Sequence, residues 1–388
     1  MNIGINGYEA AVPRFGYDSK TGLPNRVGSS EFSYQLIVNL FEVDRKNNYF
    51  IYLPVFPTND MPKPNEKWKY IVFNQKLWTL LGLSKKLFEN KNKLDVFFAQ
   101  THYLSLLGRV PSVLLILDVS YLKFPQLFKK KDLYMLKIWG GYSIRKANRI
   151  ITISNSSKND IIKEYKVDSE KVTVVYPGVK SEIRNPKSET NSKFKMQNSK
   201  SIKEKFGIEK DYILFVGTLQ PRKNIVKLVE AFAKLNQQTL QLVIVGKKGW
   251  QYEEILEAPR KFGVKERVLF IHNAADEDLP DLYKNAKMFV LPSLYEGFGI
   301  PVLEAMNWGC PVITSNVSSL PEAGGNAALY VNPNNVEDIA EKMQKLLNDS
   351  KLCEELIAKG KKQVEKFSWE KSARQTLAVL EEVVHPVR

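Results

Sequence analysis

Short, continuous apolar runs recur along the chain, with helix-like stretches between them. In the first half the runs are Ile3–Asn6, Tyr49–Leu53, Tyr70–Phe73, Val96–Ala99, Val113–Leu117, Ile150–Ser154 and Val172–Tyr176. Each has the length of a strand and is apolar enough to be buried on both faces, as a parallel sheet requires. Helical stretches at Glu31–Val43, Lys131–Ala147 and Ser156–Tyr165 separate several of them. That alternation is the rhythm of a doubly wound parallel sheet. The second half repeats it more cleanly at Tyr212–Val216, Leu242–Val245, Val268–Ile271, Met288–Leu291, Val312–Thr314 and Ala328–Val331. The pattern predicts an α/β protein built from two Rossmann-like, doubly wound domains.

Past Pro177-Gly178 the pattern breaks. Residues 180–203 are rich in Ser, Lys and Asn and poor in apolar side chains, the composition of a solvated linker or a disordered excursion. The predicted division is an N-terminal domain over 1–178, a partly flexible linker over 179–210 and a C-terminal domain over 211–366. A final helix over 367–388 opens at Phe367-Ser368-Trp369-Glu370. The length agrees, since 388 residues exceed the ~250–300 at which a single core stops growing.

Candidate chemistry concentrates where the run Met288–Leu291 ends. Pro292 stops that strand, Pro301 suits the first position of a following helix because its missing N–H would be unpaired there, and Gly309 suits the helix end. Between them lies Glu296-Gly297-Phe298-Gly299-Ile300-Pro301-Val302-Leu303-Glu304, with Glu296 on a loop and Glu304 in a first helical turn. Gly297 and Gly299 lack side chains, so backbone N–H groups can approach a phosphate at the positive end of the helix. A carboxylate beside such a site can accept hydrogen bonds from paired hydroxyls on a ribose or a sugar ring. Phosphate and vicinal diols together describe a nucleotide-sugar. The bland alternative is an ordinary loop whose acids favour the helix N-terminus.

A second strand end adds cations. Tyr212–Val216 runs into Gly217-Thr218-Leu219-Gln220-Pro221-Arg222-Lys223-Asn224, followed by a helix from about Ile225. Positive side chains there work against the helix dipole, and a diphosphate would offset that. Arg222 can fork onto phosphate oxygens while Lys223 supplies a point charge, both stabilising negative charge on a departing nucleotide. A solvated pair of loop cations is the alternative.

Taken in order, the string 217–224, the run Leu279–Ala286, the segment Pro292–Met306 and Gly309–Asn316 resemble the retaining glycosyltransferases of family 4. Those enzymes have the GT-B fold and carry a pair of glutamates with seven residues between, as Glu296 and Glu304 have. Ile153-Ser154 and Tyr176-Pro177-Gly178-Val179 extend the match weakly into the first half. The resemblance implies two domains facing across a cleft, the N-terminal one for the acceptor and the C-terminal one for the donor. It implies that Glu304 holds the donor ribose hydroxyls and that Glu296 lies near the donor sugar. The amides of Phe298, Gly299 and Ile300 would face sugar and phosphate. Arg222 and Lys223 match the diphosphate cations, in the string that Gly217 opens, and Ile271-His272-Asn273 falls where the base rests on backbone. Transfer in such enzymes proceeds with retention, by front-face attack of the acceptor hydroxyl and without a bound metal. A nucleoside diphosphate sugar is the implied donor substrate, and no further cofactor is implied.

The chain also departs from the family. Members carry His-Asp after the strand that here ends at Leu117, and this chain has Leu117-Asp118. Asp118 keeps its position while the histidine that points at the donor sugar is missing. His102, three residues past Val96–Ala99, is a candidate substitute on the same rim of the N-terminal sheet. The turn-rich loop Gly7–Ser30 holds Gly16, Gly22 and Gly28, and Gly28-Ser29-Ser30-Glu31 is a degenerate version of the family's phosphate-side glycine turn; a passive loop is the alternative. Asp276-Glu277-Asp278 has the spacing of a metal motif but precedes a helix, so capping is the better reading.

Composition narrows the function. An apolar content of 44% with 26% charged residues is that of a globular protein. The longest aliphatic run, Val113–Leu117, is far short of the ~18 apolar residues a membrane span needs. The first residues read as a strand and not as a secretory signal. Two cysteines without ligand spacing fit a reducing cytoplasm. A net charge of +15 asks for anionic partners, yet no zinc-finger, RNP-type or basic-zipper pattern supports nucleic acid. Lys85-Lys86, Lys129-Lys130-Lys131 and the segment Leu77–Leu83 suggest peripheral contact with an anionic membrane, although a helix packed into the domain core is preferred for Leu77–Leu83. The sequence therefore reads as a cytoplasmic, metal-independent glycosyltransferase moving a hexose from a nucleoside diphosphate sugar to a hydroxyl of a glycan or lipid-linked acceptor. Its rivals are a donor-binding protein that has lost turnover, and another GT-B enzyme such as an epimerase or a phosphorylase.

Overall fold

The computed structural model describes residues 1–12, 16–17, 22–26, 28–89, 93–106, 110–179, 199–235 and 237–386. The chain divides into two compact units, Met1–Gly178 together with Ser368–Arg388, and Val179–Phe367.

The first unit is built on a seven-stranded parallel sheet. Its strands are β1 (Asn2–Asn6), β2 (Asn48–Leu53), β3 (Trp68–Val72), β4 (Val96–Ala99), β5 (Ser112–Leu115), β6 (Arg149–Thr152) and β7 (Val172–Val174), in the order β3-β2-β1-β4-β5-β6-β7. The second unit holds β8 (Asp211–Val216), β9 (Leu240–Val245), β10 (Val268–Ile271), β11 (Met288–Leu291), β12 (Val312–Ser315) and β13 (Ala328–Val331), in the order β10-β9-β8-β11-β12-β13. Central strands such as β4, β9 and β11 are buried along their whole length. That explains why they read as unbroken apolar runs and not as alternating ones. Each sheet is an α/β doubly wound layer in which the chain reverses its direction of travel once, between β1 and β4 in the first and between β8 and β11 in the second. Such reversals leave a crevice at the carboxyl ends of the strands.

Several expected elements take a different form. The helix expected over Lys131–Ala147 runs as Lys130–Met135, a π-helical turn Leu136–Gly140 and Gly141–Lys146. Leu77–Leu83 is not a plain core helix. It forms a π-helical turn, Trp78–Gly82, that leads into Leu83–Glu89, with Trp78 and Leu83 buried but Leu77 and Leu81 exposed. Within the expected linker, residues 180–198 lie outside the described residues, and its later part is helix Ser199–Phe206 of the second unit. Ile202 of that helix is buried, and Lys205 Nζ meets Asp278 Oδ1 at 2.5 Å. Of the loop Gly7–Ser30, residues 13–15, 18–21 and 27 lie outside the described residues.

The final helix, Trp369–Val384, packs on Ser29–Val43 within the first unit. Ser368 caps it by accepting the Lys371 N–H at 3.2 Å, and the Trp369 ring meets Phe32 edge-on with centroids 5.3 Å apart. Gly178 passes directly beneath. A Cβ there would lie 2.2 Å from the Trp369 backbone nitrogen, closer than any real Cβ contact. Because the obstacle is backbone, it cannot turn aside as a side-chain tip can. Gly178→Ala is therefore expected to lower unfolding stability by about 3 kcal/mol, measured as a drop in urea midpoint.

Candidate active site

The site is assembled from two loops at the reversal between β8 and β11. After β8, Pro221–Lys223 makes one 3-10 turn and Asn224 adopts a left-handed φ of +59°, which redirects the chain into helix Ile225–Lys234. Asn224 Nδ2 donates to the carbonyls of Pro292 and Pro333 at 3.0 and 2.7 Å. The Leu294 N–H donates to the Arg222 carbonyl at 2.9 Å, and Arg222 Nη1 donates to the Tyr295 carbonyl. The two strand ends are thus strapped together before any charge is considered.

At their junction sits Glu296, of which 6% is exposed. Its Oε1 accepts from Lys223 Nζ and from the Ser293 hydroxyl, both at 2.7 Å, and its Oε2 pairs with Arg222 Nη1 at 3.2 Å. The cations expected to await a diphosphate are thus already paired with the carboxylate expected to face the sugar. At the end of β8, the Cβ position of Gly217 lies in ordinary van der Waals contact with Lys223 Cε, 3.6 Å away.

Past Glu296 the chain turns through Gly299, whose φ of +112° favours glycine and whose Cβ position lies 2.8 Å from Leu320 Cδ2, so a side chain there would also have to displace that methyl. Helix Ile300–Asn307 begins immediately, so the amides of Phe298, Gly299 and Ile300 lie at its positive end. Pro301 is its second residue, not its first. Glu304 is the fifth, one residue further in than expected, and its Oε2 accepts from the Tyr283 hydroxyl at 3.1 Å. On the other side of β8, Gly246 lies against Gly217 so closely that a Cβ on it would sit 2.0 Å from the Gly217 oxygen. The Gly246 carbonyl accepts from His272 Nδ1 at 2.9 Å, so that nitrogen carries the ring proton and Nε2 can accept. His272 is thus linked to Gly217 through Gly246, and Lys223 to Glu296, three residues before the N-cap of the helix that carries Glu304. Asp278 is spent elsewhere: its Oδ2 accepts the Ala275 N–H at 2.9 Å, a capping contact.

Three candidates belong to the first unit. His102 follows β4 and Asp118 follows β5, adjacent parallel strands, and His102 Nε2 lies 3.4 Å from the Asp118 carbonyl oxygen. The Asp118 carboxylate accepts the Ser120 N–H at 2.9 Å. Gly28 is the N-cap of Ser29–Val43 with φ +56°, and Ser29 Oγ donates to Glu9 Oε2 at 2.8 Å.

Comparison with known proteins gives this geometry its context. Residues 197–363 match the family model described as glycosyl transferases group 1, and residues 42–183 match that described as glycosyltransferase family 4. O-antigen chain mannosyltransferase B of Escherichia coli is 33% identical over 265 residues, 67% of each chain. The chain belongs to the group 1 glycosyltransferases. The serotype-specific mannosyltransferase WbdA of Escherichia coli is also 33% identical, over 63% of this chain but only 29% of its own length. HepE of Anabaena, solved in complex with UDP and glucose, superposes with a TM-score of 0.72 at 17% identity over 98% of this chain and 100% of its own. WaaG, a glycosyltransferase involved in lipopolysaccharide biosynthesis, does so with 0.69 at 18% over 98% and 99%. The fold is GT-B.

In this glycosyltransferase burial alone would raise the Glu296 carboxyl. Lys223 and then Arg222, with hydrogen bonds from Lys223 and Ser293, outweigh it and hold the group at about 2. Glu296 is thus an anion at neutral pH and carries no proton to give to a leaving group. Tyr283 behaves in the opposite way: complete burial, with the Glu304 charge beside it, raises its hydroxyl well above the ordinary range, so it remains a donor to Glu304.

Four supporting residues were not singled out from sequence. Besides Tyr283 and Ser293, the turn after β12 clamps the glutamate loop. The Glu296 N–H donates to Ser318 Oγ at 3.0 Å, and Ser319 Oγ lies 2.8 and 2.9 Å from the carbonyls of Glu296 and Phe298. Ser293 and Tyr283 each stood inside a segment that carries the resemblance, without a role of their own, and Ser318-Ser319 is a hydroxyl pair past a strand end.

Removing the Glu296 carboxylate leaves two largely buried cations without that counter-charge. Glu296→Ala is expected to cost about 3–5 kcal/mol of stability, read by denaturant unfolding. The folded-state value lies below the ordinary 4.5, so the stabilisation is complete above about pH 4.5 and is lost as pH falls toward about 2. Unfolding free energy measured across that window should fall less steeply in Glu296→Gln than in the wild type.

Proposed function

We propose that the protein transfers a hexose, with mannose the first choice, from a nucleoside diphosphate sugar to a hydroxyl of a glycan or lipid-linked acceptor. Transfer retains configuration, needs no bound metal and takes place beside an anionic membrane. The observation that carries this reading is the Glu296–Lys223–Arg222 cluster at the reversal between β8 and β11, the place where doubly wound sheets bind nucleotides. Two cations and one carboxylate leave a surplus of one positive charge. A diphosphate entering there shares Lys223 and Arg222 with Glu296 and meets the amides of Phe298, Gly299 and Ile300 at the helix start.

The geometry supports one role for each residue. Lys223 and Arg222 stabilise negative charge gathering on the departing diphosphate, the work that a divalent cation would otherwise do. Glu296, being ionised, accepts hydrogen bonds from donor-sugar hydroxyls. Glu304, held by Tyr283, has acceptor capacity for a ribose diol, and His272 lies at the base end. The names of the relatives support mannose, and the UDP and glucose in the HepE complex support a nucleoside diphosphate hexose. Glycan assembly as the setting rests on the same O-antigen relatives.

A protein that binds donor without turning it over is the second reading, favoured by Leu117 where the family carries histidine. The contact of His102 with the Asp118 carbonyl supports transfer over that reading, because an imidazole lies beside the neighbouring strand end. His102→Ala should then reduce turnover far more than donor affinity.

The test is a screen of nucleoside diphosphate hexoses for transfer or donor hydrolysis, followed by kinetics of Glu304→Gln. Glu304 is partly exposed and is not the centre of the ion cluster, so its loss is not confounded with unfolding. Weakening hydrogen bonds to one charged acceptor predicts a loss of about tenfold to hundredfold in kcat/KM, mainly through KM, with turnover persisting in EDTA. Wild-type kinetics in Glu304→Gln, or turnover abolished by the chelator, would contradict the assignment.

A further inference from the structure

The loop between β2 and β3 carries an apolar tip that the proposed site does not use. Phe56 stands three residues past β2 with 81% of its surface exposed, the highest value for a large apolar side chain among the described residues, and Val55 beside it is 37% exposed. Single exposed apolar residues are common on protein surfaces. What sets this one apart is the stiffness of the loop that holds it.

Pro54, Pro57, Pro62 and Pro64 each fix a backbone angle there. Arg26, its side chain only 5% exposed, fastens the loop to the rest of the unit. Its two terminal nitrogens pair with the Asp60 carboxylate, Nη2 also donates to Thr58 Oγ1 at 3.1 Å, and Nε donates to the Ala10 carbonyl at 2.7 Å. The guanidinium lies 3.9 Å from the centre of the Tyr34 ring. The hydroxyls of Tyr34 and Tyr70 donate to the carbonyls of Asp60 and Pro62 at 3.1 and 2.7 Å, and Met61 between them is buried. The loop is thus anchored from residue 58 onward, and Phe56 stands just ahead of the anchor.

The loop also rises from a telling edge. The strands of the first sheet pair in parallel, so their carboxyl ends share one edge, and the Gly7 N–H donates to the Tyr52 carbonyl at 3.0 Å where β1 and β2 end side by side. Neighbouring strands lie about 4.8 Å apart, which puts the end of β2 about 5–10 Å from the reversal between β1 and β4. That is the scale of a short run of linked sugar rings.

The surroundings decide what fits. Residues 54–67 hold two lysines and two acids, so the local charge selects neither an anion nor a cation, while Thr58, Asn59 and Asn65 supply neutral polar groups. A phenylalanine buries about 150–250 Å², against roughly 800 Å² per partner in a stable protein interface, so a second protein finds too little here. A pyranose ring matches in size and character. Its C–H groups carry partial positive charge and meet the negative face of an aromatic ring, and its hydroxyls reach the polar groups around that ring.

We infer that Phe56 is the platform for a distal sugar ring of the acceptor, one that lies behind the ring receiving the hexose. The inference rests on the glycan acceptor of the proposed function and adds to it a subsite that reads acceptor length. A glycan long enough to reach Phe56 is held at two points, and a monosaccharide at one. Because the loop is already stiff, stacking there orders little that was free before.

The experiment is a ligand-observed NMR titration of the full chain, without donor, with gluco-, galacto- and manno-oligosaccharides, each as monosaccharide and as tetrasaccharide. At least one tetrasaccharide should bind the wild type about threefold to tenfold more tightly than its monosaccharide. Phe56→Ala should erase that ratio by weakening the tetrasaccharide alone, and Phe56→Trp should keep it. Both variants change an exposed position, so their unfolding midpoints should match the wild type. Donor hydrolysis by the wild type is followed separately: its absence counts against the transferase reading, whereas the length ratio is read without turnover. The inference is overturned by a wild type that prefers no tetrasaccharide, by a ratio that survives in Phe56→Ala or is lost in Phe56→Trp, or by equal weakening of both lengths in Phe56→Ala.

Discussion

A buried carboxylate between two cations holds the carboxyl ends of β8 and β11 in one geometry. Lys223 and Arg222 lie at the start of a helix, where the backbone dipole repels them, and they are largely removed from water. Neither could remain there charged without Glu296, which arrives from a loop 73 residues further along the chain. Each of the three charges would be unfavourable alone, and their mutual attraction makes the burial tolerable. The Ser293 hydroxyl and the Ser318-Ser319 turn then fix the carboxylate from the other side. Under the proposed function a donor diphosphate would meet cations already positioned, and binding would be an exchange of anionic partners in place of the ordering of two long side chains.

Much of this was legible in the sequence, for reasons that can be named. All the strand runs were visible because both sheets are parallel and buried on both faces, so each strand is a continuous apolar word between turn residues. The glutamate loop was visible because proline and glycine punctuate it, and Gly299 does hold a φ that favours glycine. The ion cluster was not. Sequence showed Arg222 and Lys223 as cations beside a helix and Glu296 as an acid on a loop, but their pairing depends on β8 and β11 being neighbours, a fact of sheet order. Tyr283 was hidden for the same reason, since it reaches Glu304 from the preceding helix. The π-turns at Trp78–Gly82 and Leu136–Gly140 were hidden as well. An extra residue in a turn breaks the 3.6-residue period, and a segment that is half core and half surface reads as neither.

Both units depart from what stability alone would select. In the second unit they are buried ions, left-handed Asn224 and Ser318, and an amide-lined helix start. In the first they are exposed Phe56 and left-handed Leu77. Elsewhere Ser154, Asn335, Asp349 and Ser368 cap their helices, although Lys166 and Gln251 also hold left-handed φ. Local rule-breaking in an otherwise consistent fold is where functional surfaces are expected, which agrees with the proposed site at the buried ions of the second unit.

The central claim, that the cluster between β8 and β11 is where a diphosphate binds, is tested most directly by calorimetric titration of nucleoside diphosphates into wild-type protein and Arg222→Gln. The account predicts saturable wild-type binding that the substitution weakens by about tenfold or more, with a smaller salt dependence because one cation is gone. Equal affinity in the two proteins would contradict it.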